Sequence, residues 1–147
     1  RSWRFVQGFN HVGRVVGIGS APDGRLIAVT EWGRVLRGDQ FGTRWSVAES
    51  SIDVQDGQEI TDVVFAPKGV MIAVHYRGVL HRSTDGGRSW QSVDSRLPDR
   101  QYVLNAHCVG QEGLIVIAGS GGMLTRSLYD GATWQPGRVA PTRNQPR

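Results

Sequence analysis

A repeat of about 45 residues, marked by tryptophan, is the feature that most limits how this chain can fold. Four of the five tryptophans lie 42, 45 and 44 residues apart, at Trp3, Trp45, Trp90 and Trp134. The segments that lead up to the last three also align, namely 33–45, 78–90 and 122–134. They share a leading glycine, an arginine, a second glycine and the tryptophan. Such self-similarity predicts one structural unit per repeat.

Each repeat contains four short apolar runs separated by turn-forming residues, and no helical period. In the second repeat the predicted strands are 60–66, 70–75, 79–83 and 90–93. In the first they are 15–18, 26–30, 35–37 and 45–47, and in the third 102–109, 114–118, 123–126 and from 134 onward. The run 114–118 lacks polar alternation, which predicts burial on both faces. Four-stranded antiparallel units of this length, packed face to face, are blades of a β-propeller.

The predicted fold is therefore all-β, a partial β-propeller over residues 1–140. We expect four-stranded antiparallel blades at about 13–50, 58–95 and 101–138, preceded by the last strand of another blade at 2–7. Residues 141–147 are polar and are predicted to form a tail. Propellers close with about four to eight blades. The remainder of a longer propeller, or another copy of the chain, is thus expected to complete the ring, and the box-like start at Arg1 to Trp3 favours a fragment.

Composition excludes several classes of function. Sixteen of the 17 basic residues are arginine and the net charge is +4, but the arginines are scattered, so we expect no nucleic-acid binding. This arginine bias is typical of a bacterial or phage source of high GC content. No apolar run approaches the ~20 residues that cross a bilayer. The single cysteine, Cys108, excludes an internal disulfide and a multi-cysteine zinc site, and we expect it to be a small buried hydrophobe.

Residues 83–90, with the sequence Ser-Thr-Asp-Gly-Gly-Arg-Ser-Trp, resemble the Asp-box, S-x-D-x-G-x-x-W, of the bacterial neuraminidase (BNR) repeat. Together with 78–82 they are most similar to the propellers of photosystem II stability/assembly factor-like proteins. Only this middle box is complete: Tyr129 stands in the Asp position of the third copy, and Gly38 and Gln40 replace Ser and Asp in the first. The resemblance implies a propeller that helps to assemble or stabilise a larger complex.

We expect the box to be structural. Its hairpin needs positive φ at the glycines, and its Ser and Asp side chains accept hydrogen bonds from turn N–H groups. The tryptophan is expected to bury its ring against the next blade while its N–H finds a partner. The structural residues are Ser83, Asp85, Gly87, Trp90, Trp45 and Trp134. One carboxylate beside glycines falls short of a calcium loop, so we predict no metal and no cofactor.

An arginine recurs before each box, at Arg37, Arg82 and Arg126. A ligand would not need one arginine from every blade. Recurrence therefore predicts a structural role, with each guanidinium packed across a neighbouring blade.

The resemblance to propellers also implies that the boxes lie at one end of each blade, with the loops between second and third strands and between blades at the other. That other end is the candidate binding surface, because exposed Trp, Tyr and Arg side chains on loops are common recognition anchors. The candidate residues are Glu31, Trp32, Tyr76, Arg77, Arg96, Arg100 and His11. The alternative is that Trp32 and Tyr76 only cap the blade ends.

The favoured function is a non-catalytic binding or assembly scaffold for a protein partner, in an extracytoplasmic compartment. The alternative is a glycan-binding or sialidase-like glycoside hydrolase propeller. A sialidase would need an early Arg-Ile-Pro segment, which is absent, and a glycosidase would need two carboxyls that flank one bond. The histidines lack metal-ligand spacing and are interpreted as ordinary surface or strand residues: His11, His75, His81 and His107.

Overall fold

The computed structural model describes residues 11–97 and 104–137, and most regular structure in these ranges is β-strand. Twelve strands form three antiparallel four-stranded sheets. The first sheet contains β1 (Val15–Ser20), β2 (Leu26–Thr30), β3 (Arg34–Gly38) and β4 (Trp45–Ser51). The second contains β5 (Ile60–Phe65), β6 (Met71–His75), β7 (Leu80–Ser83) and β8 (Gln91–Val93). The third contains β9 (Leu104–Val109), β10 (Ile115–Gly119), β11 (Leu124–Ser127) and β12 (Gln135–Pro136).

Every sheet is a simple meander in which consecutive strands are neighbours. The first strands of successive sheets contact one another, β1 with β5 and β5 with β9, so the three sheets share an inner edge. This arrangement is a partial β-propeller, and the predicted fold class is confirmed. The strand predicted at 2–7 and the tail at 141–147 lie outside the described residues. Within the described ranges, the chain contains no helix with the length and apolar character of a membrane span.

Two apolar cores lie between the sheets. Between the first and second sheets, Ile27, Val29 and Val35 pack with Ile60 and Val63. A second core joins β6 and β7 of the second sheet to Leu104, Ile115, Ile117 and Trp134 of the third. Strand β6 is buried along its whole length because it contributes to both cores.

Strand β10 is buried on one face only. Ile115 and Ile117 are fully buried against the second sheet, whereas Val116 and Ala118 are partly exposed. The prediction of burial on both faces is therefore wrong for this strand. Cys108, which pairs with Val116 in the neighbouring strand, is exposed, so its predicted burial is also wrong. The physical reason is the same in both cases: among the described residues, no fourth sheet covers this face of the third.

The recurring arginines connect each sheet to the next. The Nη1 group of Arg37 donates to the backbone carbonyl of Gly86, at 3.2 Å. In the same way, Nε of Arg82 donates to the carbonyl of Asp130, at 2.7 Å. Gly86 and Asp130 occupy the same position in their box turns, directly before the turn glycine. Arg37 and Arg82 thus each fasten their own sheet to the box turn of the following one, as the repeat predicts, whereas Arg126 is exposed and has no such partner among the described residues.

Candidate functional site

The loops lie at two opposite ends of the sheets. Strand β1 begins beside the end of β2, where Val15 pairs with Thr30, and β3 begins beside the end of β4, where Arg34 pairs with Ser51. The turns after the second strands and the connections between sheets therefore lie together at one end, which we call the loop end. The box turns 39–44, 84–90 and 128–134 form the box end. Six of the seven candidate binding residues lie at the loop end, and Arg100 falls outside the described residues.

The turn between β2 and β3 places Trp32 against the segment that leads into β1. A Cβ atom at Gly13 would lie 2.9 Å from Cδ1 of Trp32, so the indole packs directly on this backbone. Glu31 accepts hydrogen bonds from the backbone N–H and the Nε of Arg14, both at 3.1 Å. These bonds lower the pKa of Glu31. Glu31 is therefore an anchor for the turn, while Trp32 remains 52% exposed.

The matching turn of the second sheet carries Tyr76 and Arg77. The N–H of Tyr76 donates to the carbonyl of Glu59 at 2.8 Å, and Tyr76 is half-buried. Arg77 is exposed at a left-handed φ of 69°, an uncommon conformation for a side chain of this size. Among the described residues, its guanidinium has no hydrogen bond or ion pair.

Arg96 and His11 are the other exposed candidates at this end. The Nε of Arg96 lies 3.1 Å from Oδ2 of Asp94, and its backbone N–H donates to the same carboxylate at 2.8 Å. Its charge is thus paired within its own turn. Within the described ranges, no hydrogen bond or ion pair connects Trp32 with Arg77 or Arg96. The candidates share one end of the molecule but are not linked by such bonds.

A groove of about 500 Å³ lies beside Trp32, along the end of β4. It is lined by Trp32, Arg34, Glu49, Ile52, Asp53 and Val54, among others. Sequence reasoning missed Arg34 and placed Glu49 only at the margin of this surface. The predicted fourth strand stopped at residue 47, whereas β4 continues through polar residues to Ser51 and forms one wall of the groove.

The loop end also contains a hydrogen-bonded pair of histidines, of which one is buried. His75 is the last residue of β6, within the strand predicted at 70–75, and is 1% exposed. Its Nδ1 lies 2.9 Å from the carbonyl of Gln58, which can only accept, so this nitrogen carries the proton. Its Nε2 then accepts from Nδ1 of His81, also at 2.9 Å. Burial lowers the pKa of His75 to about 4 and also lowers that of His81, so both rings are neutral at pH 7.

At the box end, the middle box is held by its own side chains. The Ser83 hydroxyl accepts from the N–H of Gly87 at 2.9 Å and donates to Asp85 at 2.8 Å. Asp85 also accepts from the N–H and hydroxyl of Ser89, at 2.9 and 2.6 Å. Burial acts to raise the pKa of Asp85, but these hydrogen bonds outweigh it and lower the pKa to about 2.

The incomplete boxes keep part of this bonding. In the third box, Ser127 accepts from the N–H of Gly131 at 2.9 Å, as Ser83 does from Gly87. In the first, Asp39 takes over the role of the missing box aspartate from one position earlier. It accepts from the N–H and hydroxyl of Thr43, at 2.8 and 2.7 Å. The decayed sequences therefore still close hydrogen-bonded turns.

The box tryptophans do not all find a hydrogen-bond partner. The indole N–H of Trp45 donates to Gly42, and that of Trp134 to Gly131, both at 3.0 Å. Among the residues that the structure describes, the buried N–H of Trp90 has no acceptor, so the prediction of a partner is wrong here. The matching carbonyl, that of Gly87, accepts instead from the hydroxyl of Ser50 in the preceding sheet, at 2.9 Å.

Two cavities at the box end, of about 270 and 560 Å³, surround Arg25 and Arg37. Three of the polar groups on their walls have partners within the fold, since Arg37 donates to Gly86 while Asp85 and Asp39 are bound within their own turns. The smaller cavity lies between the first and second sheets, whereas the other is lined by residues of the first sheet.

No family model matches the chain, and no curated protein matches its sequence. Solved structures do match. YCF48 bound to a D1 peptide has a TM-score of 0.66 and 17% identity, over 86% of this chain and 40% of that one. YCF48 from Cyanidioschyzon merolae has a TM-score of 0.63 and 18% identity, over 88% and 41%. The GH74 xyloglucanase from Xanthomonas campestris has a TM-score of 0.59 and 15% identity, over 88% and 23%.

These similarities define the class of protein as a β-propeller. More particularly, the chain has a YCF48-like propeller fold, which confirms at the level of fold the resemblance predicted from residues 78–90. The chain spans about two-fifths of the length of the two YCF48 structures, so it corresponds to part of their rings.

Proposed function

We propose that this chain is a non-catalytic scaffold whose loop end binds a segment of a protein partner. The observation that carries the proposal is Trp32, an indole 52% exposed on a braced turn beside a groove of about 500 Å³. Tryptophan and arginine are the residues most enriched among those that dominate protein interfaces.

The bracing of Trp32 favours binding on entropic grounds. The ring rests on the backbone at Gly13, and Glu31 ties the turn to Arg14. A side chain that is already ordered loses little conformational freedom when a partner covers it. The polar wall of the groove, with Arg34, Glu49 and Asp53, supplies the hydrogen-bonding groups that a peptide backbone requires.

Two of the similar proteins bear on the choice of ligand. One YCF48 structure contains a D1 peptide, which supports a polypeptide ligand for this chain. The other is a xyloglucanase, and an exposed indole such as Trp32 also stacks on sugar rings, which favours a glycan as the second candidate. A glycosidase requires two carboxyl groups about 5–9.5 Å apart across one bond. Of the carboxylates around Trp32, Glu31 is already bound to Arg14 and Asp53 accepts from the side-chain amide of Gln55, which favours the non-catalytic function.

The proposal is tested with peptides selected from a random displayed library against this chain. We expect the double variant Trp32→Ala with Arg77→Ala to lower the affinity for the selected peptides by at least about tenfold, measured by fluorescence anisotropy. Tyr129→Ala is the matched control, since this aromatic is 67% exposed but lies at the box end. Unchanged affinity in the double variant would exclude the loop end. Xyloglucan oligosaccharides titrated in parallel distinguish the second candidate, because only a glycan site would bind them in a Trp32-dependent way.

A further inference from the structure

The smaller cavity at the box end has walls that contacts within the fold hold in place. One wall consists of the turn between β1 and β2 with Arg37 of β3, and the other of the turn between β5 and β6 with the middle box turn. The two strand turns lie in close contact, because a Cβ atom at Gly69 would lie 3.2 Å from Cγ of Pro22. The N–H of Gly86 donates to the carbonyl of Gly69 at 3.1 Å, and Arg37 donates to the carbonyl of Gly86. We call this space the seam cavity.

Four cationic side chains line the seam cavity, and each comes from a different segment of the chain. They are Arg25 directly before β2, Arg37 in β3, Lys68 in the turn between β5 and β6, and Arg88 in the box turn. Two carboxylates, those of Asp23 and Asp85, also line it. The lining therefore carries two more cationic groups than carboxylates.

The two carboxylates are bound within their own turns. Asp85 accepts from the N–H and hydroxyl of Ser89, at 2.9 and 2.6 Å, and from the hydroxyl of Ser83 at 2.8 Å. Oδ1 of Asp23 accepts from the backbone N–H of Arg25 at 3.1 Å, and its Oδ2 lies 3.9 Å from Nε of that arginine, beyond hydrogen-bonding distance. Among the described residues, neither carboxylate accepts a hydrogen bond from a cationic side chain of the cavity.

The cationic groups keep most of their donors unpaired. In the part of the chain that the structure describes, the ammonium group of Lys68 has no hydrogen bond or ion pair. Nη1 of Arg37 and Nη1 of Arg88 donate to carbonyls of the box turn, at 3.2 and 3.3 Å. A guanidinium has five N–H groups, so these bonds orient the two side chains and leave further donors for a ligand.

We propose that the seam cavity binds a phosphate group. The oxygens of a phosphate point in tetrahedral directions, which suits donors that come from four segments, whereas one arginine fork is enough for a flat carboxylate. The cavity has a volume of about 270 Å³, against about 30 Å³ for a water molecule, so it has room for the phosphate with part of its hydration shell. It lies at the opposite end from Trp32, and the proposal does not rest on the proposed function.

The larger cavity at the box end gives room for the organic part of a phosphate ester. It shares Asp23, Arg25 and Arg37 with the seam cavity, so the two spaces are neighbours. It also adds Trp45 and Arg44, and the guanidinium of Arg44 has no hydrogen bond or ion pair within the described ranges. An ester bound through its phosphate in the seam cavity would therefore place its organic group here.

The test is calorimetric titration of the full chain with sodium phosphate at pH 8 and constant ionic strength. We expect a dissociation constant on the order of 1 mM or below. Arg25→Glu and Lys68→Glu each add a negative charge to the lining, and each should lower the affinity at least about tenfold. Both side chains are exposed, so neither change disturbs the apolar cores.

Arg126→Glu is the matched control, because it makes the same change of net charge at an exposed arginine of the third sheet. Its affinity for phosphate should stay within about twofold of wild type, since the charge lies outside the cavity and is screened by salt. Absence of phosphate binding in the wild-type chain, or an equal loss in the control, would overturn the proposal.

Two further ligands test the shape that is recognised and the source of the phosphate. Oxalate is a dianion at pH 8, as phosphate is, but it consists of flat carboxylates and should bind at least about fivefold more weakly. Equal affinity for oxalate would contradict recognition of a tetrahedral group. Glycerol phosphate distinguishes the sources: tighter binding than that of inorganic phosphate assigns a phosphate ester as the ligand, and weaker binding assigns free phosphate.

Discussion

The buried imidazole of His75 couples the stability of the second sheet to pH. Its pKa in the folded chain is about 4, against 6.5 for an unperturbed histidine. The unfolded chain therefore binds this proton more readily, so its contribution to stability is complete above pH 6.5 and is lost as the pH falls towards 4. His81, whose pKa is also lowered, acts in the same direction.

We expect the free energy of unfolding to fall by about 2 kcal/mol between pH 7.5 and pH 5 because of His75 alone. Urea unfolding at the two pH values measures this difference. In His75→Gln, which cannot take up a proton, most of the difference should disappear. An equal pH dependence in the variant and wild type would show that His75 does not set it.

Asp85 titrates in a lower and separate range of pH. Its pKa is about 2 in the fold and 3.8 when unperturbed, so its stabilising effect is complete above pH 3.8 and is lost as the pH falls towards 2. Asp85→Asn should therefore reduce the pH dependence of the free energy of unfolding below pH 4. It should leave unchanged the pH dependence between pH 4 and 6.5 that comes from the histidines. The matched control is Asp94→Asn, because the Asp94 carboxylate also binds within a turn, but one that is exposed and lies outside the boxes. An Asp85→Asn profile identical to wild type would contradict the role of the box carboxylate.

At the scale of the element, the box turn owes its position to close packing on the preceding sheet. A Cβ atom at Gly131 would lie 2.4 Å from Cδ1 of Ile72, and the residue has a φ of +75°. Both the steric contact and the backbone conformation disfavour a larger side chain, because Ile72 would have to shift and the left-handed φ is strained for other residues.

Gly131→Ala should cost about 2 kcal/mol more of the free energy of unfolding than Gly24→Ala. Gly24 is the matched control because it has a similar φ of +81° but nothing within 4 Å of its Cβ position. Its substitution therefore measures the backbone strain alone, about 1 kcal/mol. Equal losses in urea unfolding would mean that the contact with Ile72 does not constrain the turn.

The strands could be predicted from sequence where an apolar run is flanked by turn-forming residues. Residues 26–30 are an example, and they match β2. The fourth strand of the first sheet was underestimated because its last residues are polar, and polar residues are acceptable on the outer strand of a blade. The groove that this strand lines was missed for the same reason. The substitute aspartate Asp39 was also missed, because a motif search fixes the position of the carboxylate while the turn tolerates a shift of one residue.

The partners of individual side chains were less predictable than the strands. The sequence pattern places Trp90 with Trp45 and Trp134, yet among the described residues its indole N–H has no acceptor. The Gly87 carbonyl accepts from Ser50, 40 positions before Trp90 in the chain. A contact between residues so distant in sequence has no signature in a local motif.

At the scale of the whole molecule, two arginines connect neighbouring sheets, and we call each contact of an arginine with the box turn of the following sheet a joint. Arg37 and Arg82 form joints, whereas Arg126 is exposed and has no such partner among the described residues. The same residue type at the same repeat position should therefore contribute differently to stability. Arg82→Met should lower the free energy of unfolding by about 1–2 kcal/mol. Arg126→Met should change it by less than about 0.5 kcal/mol.

Urea unfolding of these two variants gives the comparison directly. Because methionine keeps most of the apolar length of the arginine side chain, the difference reports mainly on the hydrogen bond to the box turn. Equal losses for the two substitutions would show that the bond to Asp130 adds nothing to the joint.

The use of main-chain carbonyls as acceptors at the joints affects which substitutions the repeats can accept. The acceptor positions are Gly86 and Asp130, and a peptide oxygen is available whichever residue type is present. A substitution at an acceptor position therefore leaves the acceptor in place, whereas loss of the arginine removes the donor. Modules could then be duplicated or recombined without a matching substitution in their neighbours.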